Sequence, residues 1–504
     1  MVIVLMAVIV GLPVVMSGSR GRSAPTPVGD SGPATKLIVL TPHNQQIRFE
    51  FEHAFNRWRV EHGKSPVIFD WRSGSGTSDL QRIVFDQFTV KIRDRREDDG
   101  IGYDLFFGGG DYVHNKLATS IPVDRDGRKT EIYVTVPARV PPLLFEQAYP
   151  TATIGSEPLY HPQRRWLGVA LASFGIVYNR DTLRMLGLDE PEQWTDLRDS
   201  RYLRWIALAD PAHSGAITQT YNTILRREGW DEGWRVLRRV FANSRYFSAG
   251  SGKVPMDVSA GEAAAGMCID FYGRYQAGAV GGDRIGYVDP PFNTAITADP
   301  ISILRGAPHE ALAHEFVGWL LTPAAQHLWQ KRINTPGGPS RFELRRLPIR
   351  ADVYRSDDRR YWADDTAPFA IAKPYPTGTP NYYGAVSPVA HALAIDIHSD
   401  LVAAWRVIVN ERDPHKKIKM ERAFDQMPAE LRLPWPDDEL ARNWRQAVED
   451  EHHARHHQAV VILKQFKDSL DRLARGDSFV EVRLKWTRTF QEQYRQVQKI
   501  AQQK

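Results

Sequence analysis

The fold is decided by the stretch of residues 36–107, which contains three short apolar runs: KLIVLT at 36–41, PVIFDW at 66–71 and YDLFF at 103–107. β-Branched and aromatic residues in runs of this length favour strands. Between the first two runs, residues 45–62 carry apolar side chains near every third or fourth position, the period of an amphipathic helix. Strands that alternate with helices and short glycine loops predict a parallel α/β sheet.

A second α/β unit follows the first. The runs FGIVYN at 174–179, WIAL at 205–208 and GMCIDF at 266–271 favour strands, while residues 215–228 and 233–242 favour helices. Two further strands and a pair of helices are predicted at 285–288, 301–304, 309–321 and 323–330. The same alternation therefore occurs twice along the chain, which predicts a second α/β layer.

The character of the chain changes after Arg350. Residues 354–383 are rich in aromatic residues, Asp and Pro and predict irregular structure, whereas residues 440–503 predict a long and highly charged helical stretch. We therefore expect a C-terminal, mostly helical extension over residues 351–504. The apolar residues of the extension that are candidates for packing against the second unit are Trp362, Phe369 and Trp405.

The composition is that of an ordinary globular protein. The chain has 504 residues, of which 25% are charged and 42% hydrophobic, and this excludes disordered, collagen-like and multi-span membrane proteins. The length corresponds to roughly two to four domains of about 150 residues each. The net charge of +5 is spread over interleaved acidic and basic residues, so we expect no nucleic-acid partner, whereas an anionic ligand fits. The single cysteine, Cys268, lies in an apolar run and predicts a buried free thiol.

The first residues form a hydrophobic leader. Residues 2–16 are apolar and uncharged; they are shorter than the roughly 20 residues of a membrane span and closer to the apolar region of an export signal. No Lys or Arg precedes them, Arg20 and Arg22 follow them, and the cleavage site is poor. A cleaved signal, an uncleaved membrane anchor and a misread start therefore stay open. With a Gly-, Ser- and Pro-rich linker at 17–35, residues 1–35 predict an exported protein of the periplasm or cell envelope.

Two loops that join a predicted strand to a predicted helix are rich in small and hydroxyl-bearing residues. Backbone N–H groups at a helix N-terminus point outward and the helix dipole adds partial positive charge, so each loop is a candidate anion site. Ordinary helix caps are the alternative at both loops. If the loops face each other across a cleft, they would bind one anion together. The candidate residues of the two loops are Ser73, Ser75, Gly76, Thr77, Ser214, Gly215 and Thr218.

Three further polar residues are candidates. Asp270 and Tyr272 stand at the C-terminal end of the predicted strand 266–271, where α/β sheets bind ligands, with core packing as the alternative. Ser251 belongs to the run GSGK at 250–253, which is not a nucleotide-binding loop, because position 247 is Phe rather than Gly and no Ser or Thr follows the Lys.

Motifs for metal binding and catalysis fail on spacing. In HEALAH at 309–314 the second His comes five positions after the first, so the pair does not share a helix face as zinc proteases require. On a helix, His452/His456 and His453/His457 would be pairs four residues apart, which is a spacing for chelation, but a polar exposed face is the favoured interpretation. The sequence has no serine elbow or catalytic triad that we can defend, so we predict no enzyme, cofactor or metal.

Six stretches occur in a characteristic order: YDLFFGGGDY (103–112), FGIVYN (174–179), ALADPAHSG (207–215), FANSRYFSAGSGKVPMDVSAGEAAAGMCIDFYGRY (241–275), DPISIL (299–304) and HEFVGWLLTPAAQHLW (314–329). This order resembles the type II periplasmic solute-binding proteins, in the cluster that includes ferric-ion, spermidine/putrescine, thiamine and hexose-phosphate binders. The resemblance implies two α/β domains joined by hinge strands, which close on a ligand like a clamshell. Its implied boundaries are 36–165 with 289–350 for lobe 1, 166–288 for lobe 2 and 351–504 for the extension.

The resemblance also bears on the ligand. The family's ferric binders carry two adjacent tyrosines where this chain has Phe271 and Tyr272, and their acid falls at residues 108–110, which offer no carboxylate. The family's early His falls at His43 or Asn44, so His43 is a ligand-binding candidate. Because Fe(III) prefers anionic oxygen ligands, ferric binding is disfavoured and a small organic anion fits better.

The function that the resemblance implies is that of a monomeric solute-binding receptor of an ABC importer. Such a receptor captures a small, here anionic, ligand between its lobes and delivers it to a membrane permease. A membrane-tethered sensory or interaction module on the same fold is the alternative, and a ferric-ion binder or an enzyme ranks below both. Because the resemblance ends near Arg350, we expect the residues after it to be dispensable for ligand binding.

Overall fold

The computed structural model describes residues 35–74, 76–281, 283–450, 452–476 and 478–503. The predicted leader, all but the last residue of the linker, and Ser75 lie outside the described residues. From Lys36 onward the chain forms one compact unit.

The first part of the chain builds one half of the main sheet. Strand β1 pairs in parallel with β2 on one side and with β3 on the other, and the apolar stripes of α1 and α2 are buried against these strands. The principal elements are β1 (Lys36–Leu40), α1 (Gln45–Glu61), β2 (Ile68–Arg72), α2 (Thr77–Arg93), β3 (Leu105–Phe107) and α3 (Asp111–Leu117). The peripheral elements that follow are β4 (Ile121–Arg125), β5 (Arg128–Ile132), β6 (Thr135–Val136), α4 (Pro142–Ala148), β7 (Thr153–Ile154) and β8 (Glu157–Pro158).

The next part builds the other half of the sheet. Here β10 pairs in parallel with both β11 and β12. The strands are β9 (Leu167–Asn179), β10 (Ile206–Ala209), β11 (Ser244–Ser248), β12 (Ala265–Ile269), β13 (Ile285–Val288) and β14 (Ile296–Leu304). The helices are α5 (Arg180–Leu186), α6 (Gly215–Glu228), α7 (Trp230–Asn243), α8 (Lys253–Ser259) and α9 (Asp270–Val280). The buried free thiol predicted at Cys268 lies on β12.

Strands β9 and β14 connect the two halves. The first half of β9 pairs with β14, which in turn pairs with β3, and the second half of β9 pairs with β12. The strand order of the main sheet is therefore β11–β10–β12–β9–β14–β3–β1–β2. Both connecting strands are buried along their whole length. We call the half that contains β1 to β3 lobe 1 and the half that contains β10 to β12 lobe 2.

The predicted strand at 266–271 is too long. Strand β12 ends at Ile269, and Asp270 begins helix α9 with its side chain accepting a hydrogen bond from the N–H of Phe271 at 2.8 Å. An acidic residue in the first turn of a helix complements the partial positive charge there. Asp270 thus directly follows the last residue of β12, and Asp270 and Tyr272 lie in the first turn of α9.

The extension packs on lobe 2. After α10 (Glu310–Leu320), α11 (Pro323–His327) and β15 (Leu347–Pro348), the remaining helices are α12 (Pro368–Ile371), α13 (Tyr383–Ala390), α14 (His398–Asn410), α15 (Pro414–Phe424), α16 (Asp438–Glu449), α17 (His456–Arg475) and α18 (Phe479–Gln502). Trp230 of α7 donates its indole N–H to the Leu431 carbonyl at 2.8 Å, and Arg239 forms a two-fold ion pair with Asp425 at 2.7 and 2.9 Å. Lobe 2 and the extension therefore share one hydrophobic core.

The long helical stretch predicted at 440–503 is divided into α16, α17 and α18, and the helices α13 to α15 before it were not predicted. Trp405 packs against α7, whereas Phe369 is 36% exposed. In the part of the chain that the structure describes, no helix has both the length and the apolar character needed to cross a bilayer.

Candidate ligand-binding cleft

A cavity of about 200 Å³ lies between the two lobes. Its walls come from the loops that open helices α2, α3, α6 and α8, from the middle of β9 and β14, and from the extension. The residues that line it include Pro42, His43, Gly76, Thr77, Gly109, Gly110, Asp111, Tyr112, Phe174, His213, Ser214, Gly215, Gln219, Gly250, Ser251, Gly252, Phe271, Tyr272, Asp299, Arg346 and Tyr383. The cavity is thus small, and its wall contains both polar and aromatic residues.

The N-terminus of α2 forms the lobe 1 wall. Gly76 is its N-cap residue and provides no side-chain cap, so the first N–H groups of this 17-residue helix lack a side-chain partner at that position. The side chain of Thr77 is buried at the cavity surface. The helix dipole makes this end of α2 partially positive.

The N-terminus of α6 forms the lobe 2 wall. The hydroxyl of Ser214 accepts a hydrogen bond from the N–H of Ile217 at 3.3 Å and so caps the helix. The hydroxyl of Thr218 donates to the carbonyls of Pro211 and Ser214, at 2.8 and 3.0 Å. The Thr218 hydroxyl therefore bonds to backbone carbonyls at the start of α6. Thr218 does not line the cavity, whereas Gly215 does.

The two helix N-termini meet across the cleft. A Cβ atom added at Gly76 would overlap the carbonyl oxygen of His213, so the lobe 1 and lobe 2 loops are in direct contact. A Cβ atom added at Gly215 would lie 3.9 Å from both the Thr77 Cβ and the Gly109 carbonyl oxygen. The two candidate anion loops therefore face each other with the lobes closed.

A buried ionic network forms the floor of the cavity. The carboxylate of Asp299 contacts Nε2 of His43 at 2.8 Å and a guanidinium nitrogen of Arg346 at 3.1 Å, and it accepts the N–H of Gly109 at 3.2 Å. Burial alone would raise the pKa of Asp299, but the positive charge of Arg346 and the contact with His43 lower it to about 2. Asp299 is thus ionised and neutralises most of the charge of Arg346.

Two polar atoms of this floor remain available to bond to a ligand. Nδ1 of His43 and Nε of Arg346 are buried and have no hydrogen-bond partner among the described residues. Buried polar groups are normally paired, so such atoms mark places where a ligand or a water would bind. Burial lowers the pKa of His43, which favours its neutral form.

Asp270 lies behind the cavity and not in its wall. It is fully buried, its Oδ2 has no partner within the described ranges, and burial raises its pKa to about 7 against the opposing charges of Arg346 and Arg274. Its neighbour Phe271 faces the Arg346 guanidinium at 4.6 Å, and the ring of Tyr272 lies 4.2 Å from that of Phe271 in the cavity wall. Burial raises the pKa of Tyr272, so its phenol is neutral.

An aromatic pair closes one end of the cavity. Tyr112 of lobe 1 stacks on Tyr383 of the extension with ring centroids 3.9 Å apart and an interplanar angle of 23°. The Tyr383 hydroxyl donates to the Gly215 carbonyl at 3.3 Å. Beside the pair, burial and the charge of Glu157 raise the pKa of Asp111. Tyr383 thus forms part of the cavity wall, and whether the residues after Arg350 are dispensable for ligand binding, as the sequence predicts, stays a prediction.

The structure brings some predicted residues together and separates others. Ser73 is exposed outside the cavity, Thr218 and Asp270 are turned away from it, and Ser75 lies outside the described residues. The predicted residues that line the cavity are His43, Gly76, Thr77, Ser214, Gly215, Ser251 and Tyr272. The polar and aromatic lining residues that sequence reasoning missed include Asp111, Tyr112, Asp299, Arg346 and Tyr383.

One signal for the missed acids was present in the sequence. Residues 108–110 were read as offering no carboxylate, yet Asp111 follows directly and Asp299 reaches the Gly109 N–H from β14. The three glycines have φ angles of 92°, 105° and 83°, and a Cβ at Gly108 would lie 2.6 Å from Nε2 of His43. Their lack of side chains lets the backbone pass directly beside the cavity.

The predicted histidine pairs do not form as such. Helix α17 begins at His456, so His452 and His453 precede it and do not share its face. Nδ1 of His456 contacts the Ala447 carbonyl at 3.0 Å. Among the described residues, no group of three or more His, Cys, Asp or Glu side chains is arranged to hold a metal ion.

The fold and the interlobe cavity are those of the two-lobed type II periplasmic binding fold. Residues 145–354 match the family described as bacterial extracellular solute-binding protein, and the resemblance predicted from the sequence is confirmed. Over 162 aligned positions the chain is 25% identical to the phosphoglycerate transport regulatory protein PgtC of Salmonella typhimurium. The aligned region is 32% of this chain and 40% of that protein. An uncharacterized protein of Haemophilus influenzae is 30% identical over 166 residues, which is 32% of this chain and 46% of that protein. The chain thus spans less than half the length of these curated relatives.

The solved structures agree on the fold. The periplasmic binding protein AfuA from Actinobacillus pleuropneumoniae, solved with exogenous fructose-6-phosphate bound, superposes with a TM-score of 0.51 at 15% identity. The match covers 74% of this chain and 97% of AfuA. The two-domain α/β fold predicted from the sequence is confirmed by this likeness.

Proposed function

We propose that this protein is an exported solute-binding receptor that captures a small anion between its two lobes and delivers it to the permease of an ABC importer. The observation that carries the proposal is the meeting of the α2 and α6 N-termini in one cavity between the lobes. Helix N-termini bind anions through their free N–H groups and their partial positive charge. One such end from each lobe gives a single anion contacts on both sides of the cleft.

Because Asp299 pairs with Arg346 in the cavity floor, we expect the ligand to be held mainly by hydrogen bonds and not by an unpaired cationic side chain. Asp299 neutralises Arg346, and the remaining donors are the helix amides, the hydroxyls of Thr77 and Ser251, and Nε of Arg346. Phosphate oxygens suit such an array because each accepts several hydrogen bonds. A cavity of about 200 Å³ fits a compound of a few carbon atoms with one phosphate or carboxylate group.

The names of the similar proteins support a phosphorylated ligand. One relative is named for phosphoglycerate transport and one structure holds fructose-6-phosphate. We therefore propose a phosphorylated hydroxy acid or sugar, bound without turnover, by a monomer in the periplasm or cell envelope. Ferric ion is disfavoured, because Tyr272 has Phe271 as its neighbour and Asp299 is held by Arg346. A visible tyrosinate-to-iron absorption band with stoichiometric loading would contradict that part.

Titration calorimetry on the purified chain tests the proposal. We expect binding of 3-phosphoglycerate or fructose 6-phosphate, each compared with its matched unphosphorylated control, glycerate or fructose. Loss of the phosphate should weaken binding at least tenfold, since each hydrogen bond to a charged group contributes about 1.5–3 kcal/mol. Equal affinity for both members of each pair, or no binding to any, would contradict it. Mass spectrometry after incubation should recover the ligand unchanged.

A second candidate function is a sensory or interaction module on the same fold. The observation that favours it is the extension, which shares a core with lobe 2 and places Tyr383 in the cavity wall. Ligand binding would then alter the extension. Hydrogen exchange of α16 to α18 should slow on addition of the ligand if this function holds, whereas protection confined to the lobes would argue for transport alone.

A further inference from the structure

A segment of the extension follows helix α6 from its last turn to its first. At the last turn, Arg227 donates to the carbonyls of Pro374 and Lys373, at 2.9 and 2.5 Å. One residue earlier, the Arg226 guanidinium lies 3.5 Å from the centre of the Tyr375 ring. The segment 373–383 therefore begins at the end of α6 that is remote from the cavity.

Side chains of α6 also fix the far end of the segment. Asn222 accepts the backbone N–H of Tyr382 at 2.9 Å, and the Tyr382 ring packs 4.9 Å from that of Trp230. Tyr382 is only 1% exposed. With Tyr382 held in the core, the next residue, Tyr383, is directed to the first turn of α6 and into the cavity wall.

The segment is also bound by the hairpin of β7 and β8. The N–H of Tyr375 donates to the hydroxyl of Ser156, between β7 and β8, at 2.9 Å. Glu157 of β8 forms a buried ion pair with Arg226 at 2.8 Å, under the Tyr375 ring. Two independent anchors thus fix the path of residues 373–383, and the position of Tyr383 does not depend on its own contacts alone.

Tyr383 has two contacts with the binding site. Its ring lies flat on Tyr112, and its hydroxyl bonds to the carbonyl of Gly215 at the N-terminus of α6. A Cβ at Gly215 would lie 3.1 Å from that hydroxyl. The ring therefore forms the cavity wall at the aromatic pair, and the hydroxyl bonds to the first turn of α6.

We infer that Tyr383, supplied by the extension, is a positioning residue that sets the largest ligand the cleft accepts; this inference rests on the proposed function. The matched family region ends at residue 354, and Tyr383 lies beyond it. The ring limits ligand length, and the hydroxyl orients the Gly215 end of α6 toward the anion.

Calorimetry with glycerol 3-phosphate, ribose 5-phosphate and fructose 6-phosphate tests the inference on the full chain. The variants are Tyr383→Ala, which removes the ring, and Tyr383→Phe, which removes only the hydroxyl. Tyr275→Ala is the matched control, because Tyr275 is 38% exposed and lies outside the cavity wall. Thermal unfolding of each variant verifies that it is folded.

We expect Tyr383→Ala to shift the ratio of affinities between the longest and the shortest probe about tenfold in favour of the longest. Tyr383→Phe should weaken all bound probes by about two- to tenfold without changing their order, and Tyr275→Ala should change nothing. Unchanged affinities in a folded Tyr383→Ala variant would overturn the inference and leave the proposed function standing. Failure of the unmodified protein to bind any probe would overturn both.

Discussion

Gly76 of lobe 1 and His213 of lobe 2 touch across the cleft, so closely that any side chain at residue 76 would overlap the His213 carbonyl oxygen. The φ angle of Gly76 is −176°, an extended conformation that every residue adopts. The requirement for glycine therefore comes from the close approach of the two lobes and not from backbone strain. We expect this contact to be lost when the lobes move apart.

Gly76→Ala should hinder closure. A ligand that contacts both lobes stabilises the closed form only by its difference in affinity for the two forms. An added methyl group at the contact raises the free energy of the closed form, so affinity for the bound phosphorylated compound should fall at least tenfold, about 1.4 kcal/mol. Small-angle scattering should show less compaction on ligand addition than in the unmodified protein.

Gly318→Ala in α10 is the control for that experiment, because a Cβ there meets nothing within 4 Å. It should close and bind as the unmodified protein does. If Gly76→Ala closes with unchanged affinity, the lobes do not need this contact and the closed geometry is not the binding geometry.

A matched pair of threonines tests which hydroxyls face the ligand. Thr77 lies in the cavity wall, whereas the Thr218 hydroxyl is bonded to the carbonyls of Pro211 and Ser214. Thr77→Val should weaken binding of a phosphorylated ligand by about 1.5–3 kcal/mol, since it removes a hydrogen bond to a charged group. Thr218→Val should leave affinity unchanged and lower the free energy of unfolding by about 1 kcal/mol. Calorimetry and denaturant unfolding measure the two effects, and equal loss of affinity in both variants would refute the assignment.

Local sequence patterns predicted the elements that build the lobes. The apolar runs at 36–41, 66–71 and 103–107 correspond to β1, β2 and β3, and the helix predicted at 215–228 has the observed bounds. Periodicity and cap residues are local signals, so they identify an element without knowledge of its neighbours. The same signals failed at Asp270, where a strand gives way to a helix without a break in apolar character.

The cavity could be predicted only in part for the same reason. Thr77 and Ser214 belong to local loop signatures, and the structure brings them to one cavity. Asp299 and Arg346 come from distant parts of the chain and meet only through the pairing of β14 and β15 with β9. Tyr383 is directed to the cavity by contacts along α6, which no local pattern encodes. Long-range packing thus determines the part of the site that the sequence did not show.

His391 of the extension connects to the loop that opens α6. Its ring contacts Asp210 at 3.0 Å and Asp396 at 2.9 Å, and these two hydrogen bonds raise the pKa of His391 above its ordinary value of 6.5. Burial would raise the pKa of Asp210, but the bond from His391 and the nearby His213 lower it. Both shifts favour the charged pair in the folded protein.

The sign of the pH dependence follows from these shifts. Because the pKa of His391 is raised in the folded protein, the charged His391 stabilises the fold fully below pH 6.5. This stabilisation is lost as the pH rises through the folded-state pKa of His391. The contribution of Asp210, whose pKa is lowered, is lost only as the pH falls below about 4. The stabilisation from His391 should therefore decrease between pH 6 and 8, so the difference in free energy of unfolding between the unmodified protein and His391→Gln should shrink over that range. Urea unfolding at several pH values measures it, with His53→Gln on α1 as the control, and an unchanged slope in His391→Gln would contradict the assignment.

The extension shares one hydrophobic core with lobe 2, so we expect the two to unfold together. Trp405 is 6% exposed, its indole N–H donates to Asn243 of α7 at 2.9 Å, and its ring stacks on Phe424 at 5.7 Å. Trp405→Ala should lower the free energy of unfolding by about 3–5 kcal/mol, because it leaves a large cavity between α7 and the extension.

Because one core joins lobe 2 and the extension, that loss should appear in a single cooperative transition, with circular dichroism and ligand binding lost together. Phe369→Ala, at a side chain that is 36% exposed, should cost less than about 1 kcal/mol and serves as the control. Two separate transitions in Trp405→Ala, with binding retained after the first, would instead mean that the extension unfolds on its own. In that case it would be dispensable for binding, and the role inferred for Tyr383 would fail with it.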